Sequence, residues 1–129
     1  MIDIHTHLLP GIDDGSESLD VSLQMARDAV ADGVTHALMT PHHMNGSYVN
    51  HASDVIKLTA DFQTELNNAN IPLTVFPSQE VRINGGLLSA LDDGDILTTD
   101  EQGTYILIEF PPTNFPLNLC NIVYELKQK

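Results

Sequence analysis

The chain has 129 residues, enough for one compact domain with a single core, and a domain of this size buries roughly two-thirds of its unfolded surface. Five Lys and Arg oppose 18 Asp and Glu, a formal net charge of −13 that repels phosphate backbones and anionic lipid, so neither nucleic acid nor a membrane surface is an expected partner. A 42% hydrophobic fraction, apolar runs too short to insert in a membrane, a first segment without a basic leader and one cysteine (Cys120, read as a small buried hydrophobe) predict a cytoplasmic α/β domain without disulfides or a cysteine-rich zinc site.

Ile2-Asp3-Ile4-His5 alternates and predicts a short strand. Residues 11–15 form a turn-rich loop, and Ser16 is placed to N-cap a helix that has Glu17 and Asp20 in its first turn. Leu19, Leu23, Ala26 and Val30 recur at helical spacing until Gly33 provides a stop. Residues 34–40 predict a second strand closed by Pro41. Asn50 or Ser53 then caps a helix with the stripe Val55, Leu58, Phe62, Leu66 and Ala69, ended by Asn70 and Pro72. Residues 73–76 predict a third strand running towards Glu80. Gly85-Gly86 breaks the chain before a short helix over 87–91. Residues 104–110 predict a fourth strand, terminated by Pro111-Pro112, and 117–129 another helix. This order implies parallel strands joined by helical crossovers, as a small open sheet or half of a barrel, within a single domain over 1–129.

The chemistry gathers at the strand ends. His5 and His7 are two apart in an extended segment, so their imidazoles face the same way. His42 and His43 follow the second strand, Glu80 follows the third and Glu109 ends the fourth. Parallel β/α folds bring strand C-termini to one rim, where their active sites lie. Four strands thereby deliver imidazoles or carboxylates to one place, a mixed nitrogen and oxygen set suited to Zn, Mn or Fe. Of the adjacent histidines, His42 is the favoured ligand, with His43 turned to solvent or packed behind it. Glu109 ends an apolar strand, where an unpaired carboxylate would cost several kcal/mol, so it needs a cation or hydrogen bonds. One of Asp13 and Asp14, beside His7 in the loop, is suited to orienting a ligand or moving a proton. His36 and His51 read as structural; Met25, Met39 and Met44 as filler or loop.

The opening Asp3-Ile4-His5-Thr6-His7-Leu8-Leu9-Pro10-Gly11-Ile12-Asp13-Asp14-Gly15 resembles the PHP (polymerase and histidinol phosphatase) family, and within it the capsule-biosynthesis protein-tyrosine phosphatases of CpsB/YwqE type. Thr40-Pro41-His42-His43, Gln79-Glu80-Val81-Arg82 and residues 105–111 continue the resemblance in the expected order. It implies a distorted (β/α)7 barrel, divalent metal ions (manganese foremost, zinc or iron as alternatives) and hydrolysis of phosphotyrosine on an autophosphorylated bacterial tyrosine kinase that controls exopolysaccharide assembly. Carried over by position, it implies His5, His7, His42, Glu80 and Glu109 as metal ligands and Asp14 as a loop residue at the site, with Asp14 and Glu80 as catalytic groups and a metal-activated hydroxide as the attacking species. A β/α barrel takes about 250 residues, and the family's later histidine, Asp-x-His motif and active-site arginines find no counterpart after Glu109. The sequence therefore reads as the N-terminal half of such a barrel, whose open edge favours a homo-oligomer. Two other readings use the same ligands: a different metal-dependent hydrolase, phosphoesterase or amidohydrolase, and a non-catalytic metal-binding remnant.

Overall fold

The computed structural model describes residues 1–100, 102–110, 124, 125 and 127. Its elements run β1 (Ile2–Thr6), α1 (Leu19–Ala31), β2 (His36–Met39), β3 (His42–His43), α2 (Ala52–Asn68), β4 (Thr74–Pro77), β5 (Glu80–Arg82), α3 (Leu87–Asp92) and β6 (Leu107–Glu109). All strand pairs are parallel, in the orders β1-β2-β4 and β3-β5-β6. Each intervening helix is a crossover, as the alternating pattern predicts.

The expected second and third strands appear as β2 and β4, and each is followed after a two-residue break by a further short strand, β3 and β5. Thr40-Pro41 separates β2 from β3, and Ser78-Gln79 separates β4 from β5. Hydrogen bonds cross the breaks: Ser78 N–H donates to Met39 O (2.8 Å) and Glu80 N–H to Pro41 O (3.0 Å). The pairing offset is the same on both sides, His36 opposite Thr74 and His42 opposite Glu80. The result is one staggered parallel surface. β1 lies beside its first half and β6 beside its second, so His42 and Glu80, expected just past strands, instead open new ones.

Two helix starts differ from expectation for tertiary reasons. Ser18, not Ser16, caps α1 by accepting from Val21 N–H. Ser16 is fully buried and fastens the preceding loop: its N–H donates to His7 O (3.2 Å) and its hydroxyl to Ser18 O (2.9 Å). At α2 neither Asn50 nor Ser53 is the cap. His51 holds that position without a side-chain cap bond, and the Asp95 carboxylate takes the Ala52 N–H at 2.9 Å. Asn50 is a loop staple, donating to Ile12 O (3.1 Å) and His42 O (2.8 Å). The stops agree with the sequence: Gly33 and Asn70 adopt left-handed conformations of φ 97° and 57°, which glycine and asparagine tolerate.

The main core lies between β1-β2-β4 and the helices α1 and α2. Ala26, Met39, Val55, Phe62, Leu66 and Val75 are buried in it, and the helical stripes read from the sequence supply its helix side. Burying a side chain such as Phe62 contributes about 1.5–3 kcal/mol. A smaller cluster of Val81, Ile83, Leu87 and Ile96 seats α3 on β5. Ile2 and Ile4 of β1 stay largely exposed. Of the expected final helix, Tyr124, Glu125 and Lys127 are helical; the rest of it, Cys120 and Pro111-Pro112 lie outside the described residues. No helix among the described residues is long and apolar enough to cross a membrane.

Candidate metal centre

His5 lies in β1 and His7 just beyond it, where Thr40 pins the chain. The buried Thr40 hydroxyl accepts from Thr6 N–H (3.0 Å) and donates to Thr6 O (2.9 Å). Gly15 closes the following loop onto His7 so tightly that a β-carbon there would overlap His7 Cβ and O, so only glycine fits. This approach carries Asp13 beneath the His7 ring. Its carboxylate is fully buried, taking His7 Nδ1 at 2.8 Å and His42 N–H at 3.1 Å on one oxygen and Gly15 N–H at 2.9 Å on the other.

Asp13 is therefore a positioning residue for two strand ends at once. Its hydrogen bond holds the His7 imidazole above its ordinary pKa, although burial opposes this. Burial alone would push the Asp13 carboxyl up, but His7 and the Gly15 and His42 N–H groups outweigh it and hold the carboxyl low.

The five expected ligands converge. Glu80 is nearly buried, with Oε1 2.5 Å from His5 Nε2 and 3.1 Å from His7 Nε2, and those two nitrogens are 3.2 Å apart. Its Oε2 lies 3.7 Å from His42 Nδ1, which is itself 3.0 Å from Glu109 Oε2. The His7 and His42 rings stack at 4.6 Å, and Tyr48 lies nearly parallel to His42 at 6.2 Å. Asp14, at the exposed rim, sets Oδ1 3.2 Å from His42 Nε2. Three overlapping groups result, His5-His7-Glu80, His42-Glu80-Glu109 and His7-Asp13-Asp14-His42, each with donor atoms within 4.8 Å of one another; the first two share Glu80.

A divalent ion fits this arrangement. An ionised Asp13 can only accept, so the His7 proton resides on Nδ1 and its Nε2 presents a lone pair to Glu80 Oε1. Acceptor facing acceptor is unfavourable unless a proton or a metal cation lies between them, and the two imidazoles crowded on Glu80 Oε1 favour a shared cation. The mixed imidazole and carboxylate set suits a first-row metal. Glu80, Glu109, Asp13 and Asp14 bring four carboxylates to the site against the single guanidinium of Arg82, which grips Glu109 Oε1 at 2.9 Å. Burial would push the Glu109 carboxyl up, but Arg82 and His42 hold it below its ordinary value.

His43 faces the other way, into the protein and not to solvent. It is grouped with His51 and Asp95, but this group is a poor metal site. His43 Nδ1 accepts from Asn50 N–H at 3.0 Å, which places the proton of a neutral ring on Nε2 and leaves that nitrogen no lone pair to give. The group is instead a clamp. Asp95 receives His51 Nδ1 at 2.7 Å as well as the start of α2. His51 is thus structural, as expected, and so is His36, which stacks on Phe76. Sequence reasoning missed the part played by Arg82, the Thr40 pin and the division of labour between Asp13 and Asp14. The Gly-Ile-Asp-Asp-Gly string signalled the loop, but not which aspartate turns inward.

The description "Capsular polysaccharide synthesis, CpsB/CapC" belongs to a family whose pattern matches residues 1–129. The tyrosine-protein phosphatase YwqE of Bacillus subtilis is 40% identical over 129 residues, covering 100% of this chain and 50% of YwqE. The CapC protein of Staphylococcus aureus is 32% identical over 130 residues, covering 98% of this chain and 49% of CapC. Crystal structures of YwqE from Bacillus subtilis and CpsB from Streptococcus pneumoniae, described as unique metal-dependent tyrosine phosphatases, include a chain that superposes with a TM-score of 0.92 at 39% identity, covering 99% of this chain and 51% of that one. The chain spans about half the length of the relatives it matches.

Proposed function

This chain belongs to the CpsB/CapC family of capsular polysaccharide synthesis proteins, and from that premise we propose that it acts as a PHP-type, metal-dependent phosphotyrosine-protein phosphatase. Its substrate in this reading is an autophosphorylated bacterial tyrosine kinase that governs capsule or exopolysaccharide assembly, its location the cytoplasm, and its resident ion manganese, with zinc and iron sharing the same donor chemistry. The observation that carries the reading is the meeting of His5, His7, His42, Glu80 and Glu109 where the two sets of parallel strands join.

Phosphomonoesters hydrolyse extremely slowly unaided, so the protein has to stabilise a charge-dense transition state. Divalent cations supply Lewis acidity for this, neutralising phosphoryl oxygens and lowering the pKa of water. His5, His7 and Glu80 Oε1 would hold one ion; His42, Glu80 Oε2 and Glu109 Oε2 would hold a second. Glu80, with one oxygen facing each group, would serve both. Asp13 keeps the His7 proton on Nδ1 so that Nε2 stays free to bind. Asp14, exposed beside His42 Nε2, is the group that exchanges a proton with the leaving phenol.

The test is hydrolysis of a phosphotyrosine peptide by the metal-loaded chain. Turnover that needs Mn²⁺, stops on chelation and is lost in Glu80→Gln is expected. A folded, metal-loaded sample without turnover on any phosphoester overturns the enzymatic reading. Uptake of Mn²⁺ without turnover would point to a non-catalytic metal-binding role. Selective cleavage of another substrate class would point to a different metal-dependent hydrolase. The proposal also includes a homo-oligomer formed over the β1 edge, unpaired among the described residues, and the exposed Ile2 and Ile4, checked by light scattering after size exclusion.

A further inference from the structure

Arg82 ends β5 two residues after Glu80 and pairs in register with Glu109 of β6. It lies on the same side of its strand as Glu80. Its NH2 donates to Glu109 Oε1 at 2.9 Å, while Glu109 Oε2 lies 3.0 Å from His42 Nδ1. One oxygen of this carboxylate is thus consumed by a guanidinium and the other faces the donor cluster. Arg82 Nε is buried, with no hydrogen-bond partner among the described residues, so the side chain is held there for one carboxylate and at some expense. A fixed positive charge beside a cation site opposes cation binding, and its presence calls for a compensating role.

We propose that Arg82 is a positioning residue which limits Glu109 to one-oxygen coordination, whereas Glu80 keeps both oxygens available to metal. The inference rests on the metal-centre reading above. Without the guanidinium, Glu109 is free to rotate about its last torsion and chelate with both oxygens or swing out of the cluster. Either change alters the coordination of the ion that His42 shares. Arg82 acts through Glu109 alone.

The experiment is calorimetric titration of the full 129-residue chain with Mn²⁺, together with the visible absorption of its Co²⁺ form, for wild type, Arg82→Met, Glu109→Gln and the double variant. Arg82→Met is expected to shift Mn²⁺ affinity by about tenfold, the lower end of the range for partners that orient a ligand, and to change the intensity of the Co²⁺ bands while its circular dichroism is retained. In the Glu109→Gln background the same change is expected to cause no further loss of affinity. The double variant removes both members of the ion pair and leaves no unpaired buried charge, so this comparison reads the role even where Arg82→Met alone folds poorly. Wild-type affinity and spectrum in folded Arg82→Met, or a further loss in the double variant, overturns the proposal. Failure of wild type to bind either ion removes the metal-centre reading and this inference together.

Discussion

Asp13 touches none of the other carboxylates at the centre, yet replacing it by asparagine is expected to disable metal binding. The change keeps shape and removes charge. Asp13 now accepts three hydrogen bonds, two on Oδ2 and one on Oδ1. An asparagine has one acceptor oxygen. Turned towards Gly15, it opposes its NH2 to the His42 N–H and forces the His7 proton from Nδ1 to Nε2, closing the lone pair that faces Glu80. Turned the other way, it keeps the tautomer and abandons the Gly15 N–H. One backbone donor is stranded in either case, a loss of about 1–3 kcal/mol in metal-free stability. Loss of a partner that orients a metal-binding histidine typically weakens affinity by about 10–100-fold, or about 1.4–2.7 kcal/mol. Calorimetry with Mn²⁺ measures the affinity and urea unfolding the stability. An Asp13→Asn protein that binds Mn²⁺ within about twofold of wild type would refute the argument that Asp13 sets the His7 tautomer.

The same pair dictates a pH dependence of the metal-free protein. His7 is raised from 6.5, so its contribution is complete below that value and is lost as pH climbs through the folded pKa; Asp13 is lowered from 3.8, so its contribution is complete above that value and is lost as pH falls through the folded pKa. Urea midpoints should therefore form a plateau between those limits, with both shoulders reduced in Asp13→Asn. Gly15→Ala should destabilise by about 1–3 kcal/mol, because its new methyl meets His7 Cβ and backbone; an unchanged urea midpoint would contradict this. Asp95→Ala removes the acceptor at the start of α2 and should cost about 0.5–2 kcal/mol in a thermal melt, an effect that should shrink as acid protonates a carboxyl which His51 and Ala52 N–H, against burial, hold below 3.8. Equilibrium dialysis should find less metal on His5→Ala and His7→Ala, and wild-type content on His36→Ala, whose ring stacks on Phe76 instead.

Much of the site was readable in the sequence because period-two geometry sends alternate residues to the same face. His5 with His7, and Glu80 and Glu109 at successive strand ends, needed only that rule and the common rim of a parallel sheet. The same alternation separates His42 from His43. What escaped notice depends on partners distant in the chain. Ser16 looks as good a cap as Ser18 until His7 O claims its N–H. Asp95 caps a helix 43 residues earlier, which no local pattern records. Asp13 and Asp14 are equivalent in a turn until Gly15 folds the first beneath His7. The short strands β3 and β5 resume pairing just past Pro41 and Gln79, where two or three residues are too few to show a periodic pattern.

The back of the sheet bears on the front. Gln79 is completely enclosed, and its amide joins three separated stretches, donating to Asn50 O (2.7 Å) and Asp95 O (3.2 Å) and accepting from Leu97 N–H (2.7 Å). Glu80, its neighbour, is braced from behind, as His42 is by the Asn50 bonds to its own carbonyl and to His43. His5, with a half-exposed ring on a strand paired on one side only, has no such brace among the described residues. Mechanical compliance is consequently concentrated in one arm of the cluster, and ions of different radius would be accommodated by motion of His5 while Glu80 and His42 act as the fixed jaw.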